Sequence, residues 1–373
     1  MTHPQLQEEN NGNRVPTQSL ITSIVIGVIL FSILLCAFEG ISRTNWFSQI
    51  ESVRSLGIYH NQFEIKWFKL EDFVEENGGV DVLLVGSSIV NTGIDPDILS
   101  AEYEKLTGEH LRIFNFGVEG LTVSPTSVIV RILAHKYHPS TILLVTEMRD
   151  YVAINGLAVE NQLLSDKWFS FQEGNECTLN GWLRVNSNAL KSILLFRNWS
   201  RSDFLDTYQT YLTRWKNTSA SGYEADHHIG KNINVLPDFS LKEEAQKYAM
   251  FHDFSIFPGR LENLKSILHP DESVQMVIVT EIPPYPTYFE YFGGTWVHKA
   301  YLEELKTVVE QNDGIFLPPF NWDVIPLENR VDNHHLNEYG ATLYSTLLAE
   351  QLARNCQGRD ICIQSSVTAG AEQ

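Results

Sequence analysis

The sequence predicts an α/β fold, a three-layer sandwich built on a mainly parallel sheet of five strands, with one transmembrane helix at the N-terminus. From residue 79 onward, short β-branched runs alternate with helix-like stretches, which is typical of right-handed βαβ units. Before them stands an apolar run of nineteen residues without a charge. The length of 373 residues suits two domains, or one large domain with an insertion.

The first predicted strand is a β-branched run that stops at Gly86, as a buried parallel strand would, and the second ends at Gly117. The five strands are expected at residues 80–85, 111–116, 141–146, 275–280 and 314–317. The predicted helices between and after them cover residues 95–107, 124–137, 241–268, 297–312 and 338–354.

The rest of the chain divides by composition. We expect a disordered polar tail at residues 1–19, a membrane anchor at 20–38 and a stalk at 39–78. The α/β domain is expected at 79–355 and a C-terminal tail at 356–373. Within the domain, residues 155–245 carry scattered tryptophans and polar clusters without a clear period. They are predicted to form an insertion packed on or over the sheet.

The apolar run from Leu20 to Phe38 predicts the anchor. At about 1.5 Å per residue it spans most of a hydrocarbon core of about 30 Å. A cleaved signal peptide has a shorter apolar region and a small-residue cleavage site, and neither pattern is present. Leu35 stands where a lipoprotein box before Cys36 would have a small residue. A retained anchor is therefore the favoured interpretation.

Charge does not decide the orientation of this anchor. Arg14 precedes it, while Arg43 and Arg54 follow it, so the positive-inside rule is not informative. The two glycosylation triplets, at Asn198 and Asn217, suit an exported domain but are common by chance.

The net charge of −19 and the isoelectric point near 5.0 limit the partners. So many carboxylates repel phosphate backbones, so nucleic acid is not expected as a partner. The same charge argues against a polybasic grip on anionic lipid.

A serine follows the first predicted strand, in Gly86-Ser87-Ser88. Ligands of open α/β sheets bind outside the carboxyl ends of the strands. A serine there has an exposed hydroxyl beside backbone N–H groups that can stabilise an oxyanion. Taken alone, the motif also fits a serine that caps a helix.

A second motif, Asp332-Asn333-His334-His335, stands before the last predicted helix. An aspartate three residues before a histidine can orient the imidazole from within one turn. The imidazole can then accept a proton from a serine and later return it. A seryl hydroxyl needs such a base because it is a weak nucleophile.

Three motifs follow one another along the chain: Gly-x-Ser after the first predicted strand, Asn-x-Gly-x-x-Gly after the second, and Asp-x-x-His before the last helix. This order resembles that of the SGNH (GDSL-type) hydrolases, whose fold is flavodoxin-like. The resemblance covers about residues 80–151 and 275–354. It implies that Ser88 is the nucleophile and that Asp332 and His335 complete a catalytic triad. Asn115-Phe116-Gly117-Val118-Glu119-Gly120 matches the second block of the family, so backbone N–H groups of Ser88 and Gly120 would line the oxyanion hole.

The third block departs from the family, which usually has Gly-x-Asn-Asp there with the asparagine as an oxyanion donor. This chain has Glu147-Met148-Arg149-Asp150. Arg149 can replace the asparagine, since a guanidinium binds anions strongly. Alternatively, it pairs with Asp150 or Glu147 and has no chemical role.

No cofactor and no metal site is expected. The pairs His227-His228 and His334-His335 lack the further ligands and supporting groups that zinc sites have. The segment 283–288, rich in proline and tyrosine, is expected to shape the rim of the cleft. A bridge between Cys356 and Cys362 is plausible outside the cytoplasm, and two free thiols are the alternative.

The resemblance implies an esterase or an O-acyltransferase on the outer side of the membrane. Its substrates would be acyl esters of cell-envelope carbohydrate or lipid, and its partner the bilayer around residues 20–38. A non-catalytic binding or assembly protein that keeps the fold is the alternative, which the altered third block favours. A purely structural domain has no feature in its support.

Overall fold

The computed structural model describes residues 17–44, 46–47, 53–58, 60–151, 157–197, 199–236, 258–358 and 362–363. Within them, five parallel strands form one sheet in the order β2-β1-β3-β4-β5. The strands are β1 (Val82–Gly86), β2 (Ile113–Gly117), β3 (Thr141–Val145), β4 (Met276–Thr280) and β5 (Ile315–Phe316). This order is that of flavodoxin-like sheets, and it confirms the predicted fold class.

Helices cover both faces of the sheet. The helices that precede β3 in the chain are α1 (Thr17–Ser42), α2 (Asn61–Asn77), α3 (Ser88–Gly93), α4 (Pro96–Thr107) and α5 (Val123–Tyr137). After β3 come α6 (Leu157–Leu164), α7 (Lys167–Gln172), α8 (Leu179–Asn186), α9 (Asn188–Leu194) and α10 (Phe204–Asn217). The remaining helices are α11 (Pro258–Leu268), α12 (Thr295–Gln311) and α13 (Glu338–Gly358).

The side chains of each strand alternate between two cores, as the pleat requires. Leu83 and Val85 point into the larger core, with α2, α5, α11 and α12. Val82 and Leu84 point into the smaller one, with α3, α4 and α13. Two cores, one on each side of the sheet, make the three-layer sandwich.

Helix α2 differs from the stalk expected at residues 39–78. It carries five buried apolar side chains into the larger core, together with Leu56 and Ile58 from the segment before it. Trp67 is 2% exposed, and its ring contacts that of Trp168 edge-on at 4.6 Å. Glu64 and Lys66 are buried beside them, and these charged residues hide the apolar periodicity in the sequence. The chain therefore enters the domain soon after α1.

The region expected as an insertion contributes α6 to α10. Its end also covers the outer edge of the sheet, because the N–H of Asn115 in β2 donates to the carbonyl of Ser221 at 2.8 Å. Pairing or covering an edge strand prevents its association with other chains. The first part of the helix predicted at 241–268 lies outside the described residues, which contain its end as α11.

Two further sequence features have a structural outcome. Helix α1 includes Leu20–Ser42, a stretch of 23 residues long and apolar enough to cross a membrane and not buried inside the protein. At the other end of the chain, Cys356 and Cys362 form a disulfide with their Cα atoms 4.4 Å apart. This answers the question that the cysteine spacing left open.

Candidate active site

The sheet brings the ends of β1 and β3 together at the point where the strand order reverses. Flavodoxin-like sheets bind ligands at this point, outside the carboxyl ends of the strands. The end of β1 passes so close to β3 that a Cβ atom on Gly86 would lie 2.3 Å from the carbonyl oxygen of Val145. A glycine is therefore required before the serine pair, and it holds the start of α3 against the end of β3.

Ser88, His335 and Asp332 form one hydrogen-bonded chain. Ser88 is the first residue of α3, and its Oγ lies 2.8 Å from His335 Nε2. His335 Nδ1 lies 2.7 Å from Asp332 Oδ2. With the Nδ1 proton facing the carboxylate, Nε2 is left to accept the seryl proton. This is the arrangement that turns a hydroxyl into a nucleophile.

Ser87 has a different environment from Ser88. Its side chain is buried, and its Oγ lies 3.4 Å from Glu147 Oε1, turned towards the protein interior. The structure thus places Ser88, and not Ser87, against the imidazole, in agreement with the Gly-x-Ser register.

A tight loop holds the aspartate and the histidine in place. An antiparallel bridge between Arg330 and Leu336 closes it, and the N–H groups of His334 and His335 both donate to Asp332 Oδ1, at 2.8 and 2.7 Å. Arg330 is fully buried and donates to the carbonyls of Pro283 and Trp322 at 3.0–3.1 Å. The loop is therefore fixed to the segment after β4, which includes the residues expected at the cleft rim.

The hydrogen bond between Asp332 and His335 sets their pKa values. Burial alone would raise the pKa of Asp332, but the bond from the His335 ring holds that pKa well below its ordinary range. Burial alone would lower the pKa of His335, and the bond to Asp332 instead raises it above 6.5. Asp332 therefore stays ionised and stabilises the imidazolium that forms when His335 takes a proton.

His334, the neighbour of this histidine, is held neutral. Burial and the charge of His335 lower the pKa of His334 to about 4. Its ring packs on that of His335 at 4.0 Å and on that of Tyr288 at 5.0 Å. A neutral His334 ring therefore packs between the rings of His335 and Tyr288.

Arg149 in the altered third block contacts both the serine and a carboxylate. Its Nη2 donates to Ser88 Oγ at 3.2 Å, and its Nε lies 2.5 Å from Glu147 Oε1. Burial would lower the pKa of Arg149, but the charge of Glu147 raises it above its ordinary value. The ion pair with Glu147, one of the two alternatives that the sequence left open, is therefore present. The other alternative, in which Arg149 donates to the oxyanion, stays a prediction, and the contact with Ser88 is compatible with it.

Glu147 connects these groups beneath the serine. It also accepts a hydrogen bond from the Tyr288 hydroxyl at 2.7 Å. Burial would raise its pKa, and the Arg149 guanidinium instead lowers it. Asp150, by contrast, has its pKa raised to about 8 by burial and by the charge of Glu147. It accepts from the N–H of Glu147 at 3.0 Å, which fixes the turn that carries Arg149.

The second block supports the same edge of the sheet. Asn115 donates to the carbonyls of Val90 and Ile94 at 2.7 and 2.8 Å, so it ties β2 to the helix of the nucleophile. Gly120 follows with φ +73°, a left-handed conformation that favours glycine. The turn after β2 thus lies beside the turn that begins with Ser88. The role of the Gly120 N–H as an oxyanion donor stays a prediction.

Among the described residues, one of the two histidine pairs lies in a group that could hold a metal ion. Asp332, His334 and His335 have ligand atoms within 4.8 Å of one another, but two of them belong to the chain of hydrogen bonds that ends at Ser88. His228 pairs with Asp226 at 2.7 Å in an exposed loop.

Sequence reasoning missed the residues that position the site. Arg330 is a lone arginine in a loop, and Tyr288 was expected only as part of the rim. Neither stands in a motif, and their roles depend on carbonyl and carboxylate groups that are distant in the chain. The sequence around a charged residue does not show whether its side chain becomes fully buried in the folded protein.

No family model and no curated protein matches the sequence. Among solved structures, the chain is similar to three proteins at 11–12% identity. A Bacteroides fragilis protein described as an acylhydrolase has a TM-score of 0.34, with 77% of this chain and 96% of that chain covered. A gut microbial diltiazem-metabolizing enzyme has a TM-score of 0.35, with 74% and 47% covered. A protein from Streptococcus pneumonia described as a platelet activating factor has a TM-score of 0.36, with 88% and 99% covered. Similarity this low assigns no residue and no activity.

Proposed function

We propose that this protein is a membrane-anchored serine esterase or O-acyltransferase of the SGNH type. Its substrates are acyl esters of cell-envelope carbohydrate or lipid. The observation that carries the proposal is the continuous chain from Asp332 through His335 to Ser88, with bonds of 2.7 and 2.8 Å. A nucleophile, a base and a group that orients the base are what acyl transfer through a covalent intermediate requires.

The reaction starts when the Ser88 oxygen attacks the carbonyl carbon of the ester. His335 takes the seryl proton and returns it to the leaving alcohol, and an acyl-serine remains. Water or a sugar hydroxyl then attacks the acyl-serine, with His335 again as the base. Hydrolysis and transfer therefore share one site and one intermediate.

The negative charge that develops on the carbonyl oxygen needs donors beside Ser88. The Arg149 guanidinium lies within hydrogen-bond distance of the seryl oxygen, and the backbone N–H groups of Ser88 and Gly120 complete the proposed oxyanion hole. A preorganised donor at this place stabilises the transition state more than the ground state.

Helix α1 supports the location at the membrane. It is long enough to span the bilayer, and the domain that carries the triad follows it directly. The substrate class and the outer side of the membrane follow from the family resemblance, in which anchored members with Gly-Ser-Ser often modify the envelope. A disulfide at Cys356 and Cys362 suits an oxidising compartment outside the cytoplasm.

The proposal is tested by labelling the purified protein with a fluorophosphonate, which reacts with activated serines. We expect wild type to be labelled and Ser88→Ala to be unlabelled. Ser87→Ala is the matched control, because it removes a neighbouring hydroxyl that does not contact His335, and it should keep its label. Wild type that is folded but unlabelled would favour the non-catalytic binding protein instead.

A further inference from the structure

The end of α1 is bound to the domain and is not a free tether. The Glu39 carboxylate accepts hydrogen bonds from the Ser187 hydroxyl at 2.7 Å and from the N–H groups of Asn188 and Ala189 at 3.2 and 3.1 Å. It thereby caps the first turn of α9. Arg43, one turn further along, pairs with Glu39 and donates to the carbonyl of Asn186 at 2.7 Å. The junction between α8 and α9 is thus fixed to the end of the apolar helix.

These contacts set the depth of α8 and α9 relative to a bilayer. The charge-free run ends at Phe38, and its length of about 28 Å matches a hydrocarbon core of about 30 Å. Glu39 therefore lies at the boundary with the headgroups, and so do the residues that it binds. Trp182 on α8 is five residues before Ser187, about 8 Å along the helix, which is comparable to the thickness of a headgroup layer.

The exposed face of α8 is apolar at this depth. Leu179 is 73% exposed and Trp182 is 49% exposed, and their spacing of three puts both on one side of the helix. On α9, Ile193 is also about half exposed. A tryptophan with an apolar neighbour is the combination that membrane interfaces favour, and exposed apolar surface next to an anchor is expected to have an occupant.

We propose that this face, defined by Leu179 and Trp182, docks onto the lipid headgroup layer beside α1. The proposal rests on the membrane anchor of the proposed function and goes beyond it. Arg184 on α8 donates to the carbonyl of Leu56, just before α2, and His60 at the start of α2 lies 3.1 Å from the carbonyl of Glu119, just after β2. The docked face and Ser88 therefore belong to the same end of the sheet. Docking therefore holds the catalytic edge of the domain in one orientation towards the membrane.

The test uses tryptophan quenching by lipid. The full-length chain is reconstituted into phosphatidylcholine vesicles with or without acyl chains brominated near the headgroup, and wild type is compared with Trp182→Phe. Trp46, directly after α1, and Trp199, five residues after the end of α9, are also exposed and can contribute to the quenching. We therefore expect Trp182→Phe to remove about a third of the bromine-dependent quenching, the share of one of three interfacial tryptophans. Trp296→Phe is the matched control, because Trp296 is an exposed tryptophan on α12, outside the docked face, and it should remove none.

The outcomes separate the docking from the anchor. Vesicle-bound protein in which Trp182→Phe keeps the full quenching would overturn the docking and leave the anchor intact. An equal loss in Trp182→Phe and Trp296→Phe would also overturn it, since it would show no preferred face. A chain that leaves the vesicles in an alkaline wash would overturn both. Labelling of Ser88 by a fluorophosphonate reports the catalytic proposal independently in the same samples.

Discussion

Replacing Arg149 by alanine perturbs two interactions with different consequences. The guanidinium lies 3.2 Å from the Ser88 oxygen, beside the position proposed for the carbonyl oxygen that becomes the oxyanion. Loss of one such donor costs about 10²–10³ in rate, or roughly 3–4 kcal/mol of transition-state stabilisation. The same change leaves the Glu147 carboxylate, whose side chain is 2% exposed, without its cation. Breaking a buried pair in this way costs about 3–5 kcal/mol of folding stability. We expect Arg149→Ala to lower both turnover and stability.

A double variant separates the two effects. Glu147→Gln in the Arg149→Ala background removes the stranded charge and keeps an acceptor for the Tyr288 hydroxyl. The free energy of unfolding should recover by about 1–3 kcal/mol, the usual range for coupled neighbours. Turnover should stay low, because the donor is still missing. The assays are kcat/KM on a chromogenic acyl ester and denaturant unfolding of the same preparations.

Two results would refute this reasoning. If Arg149→Ala keeps kcat/KM within about threefold of wild type, far less than the loss of an oxyanion donor, the guanidinium does not bind the oxyanion. If the double variant recovers turnover together with stability, Arg149 acts only by holding the fold of the site.

Two further predictions follow from the site and from the core. Asp332→Asn removes the bond that raises the pKa of His335, so the acidic limb of the kcat/KM profile should move to lower pH, while kcat falls by about 10⁴. An unmoved limb would show that another group titrates there. Trp67→Ala should lower the free energy of unfolding by about 3–5 kcal/mol, as for a large buried side chain, whereas Trp296→Ala should change it by less than about 0.5 kcal/mol. If both tryptophan variants lose the same free energy of unfolding in urea, residues 53–77 are not part of the core and form a stalk.

The sheet was predictable because each strand is a local pattern. The runs before Gly86 and Gly117 are apolar on both faces and end at a glycine, so composition and spacing were enough to find them. The sequence allowed a helix here only as part of a stalk. That α2 belongs to the core was not found, because buried Glu64 and Lys66 interrupt its apolar pattern. Lys66 donates to the carbonyl of Asn115 at 3.1 Å, and burial lowers its pKa to about 7. Its partner lies in a strand about fifty residues away, which no local pattern contains.

The residues of the candidate site also divide into those that the sequence predicts and those that it does not. Ser88, Asp332 and His335 were placed from short motifs, since their chemistry needs them at the ends of elements that the sequence already marks. The groups that hold them were not, because Arg330 contacts backbone carbonyls and a carbonyl has no sequence signature. Motifs thus point to the proposed reacting groups, and tertiary contacts determine how firmly these groups are held.

The altered third block has a consistent explanation once its two charges are considered together. A guanidinium in place of a neutral asparagine adds a positive charge near His335, which lowers the pKa of that histidine and disfavours the imidazolium formed during attack. Glu147 acts on the same ring in the opposite direction, and it lies 2.5 Å from the cation. The pair can therefore offer a strong donor to the oxyanion while changing the charge around the base little. The carboxylate that balances the charge of Arg149 stands two residues earlier in the chain. The two departures from the family pattern compensate each other, so the block is compatible with catalysis.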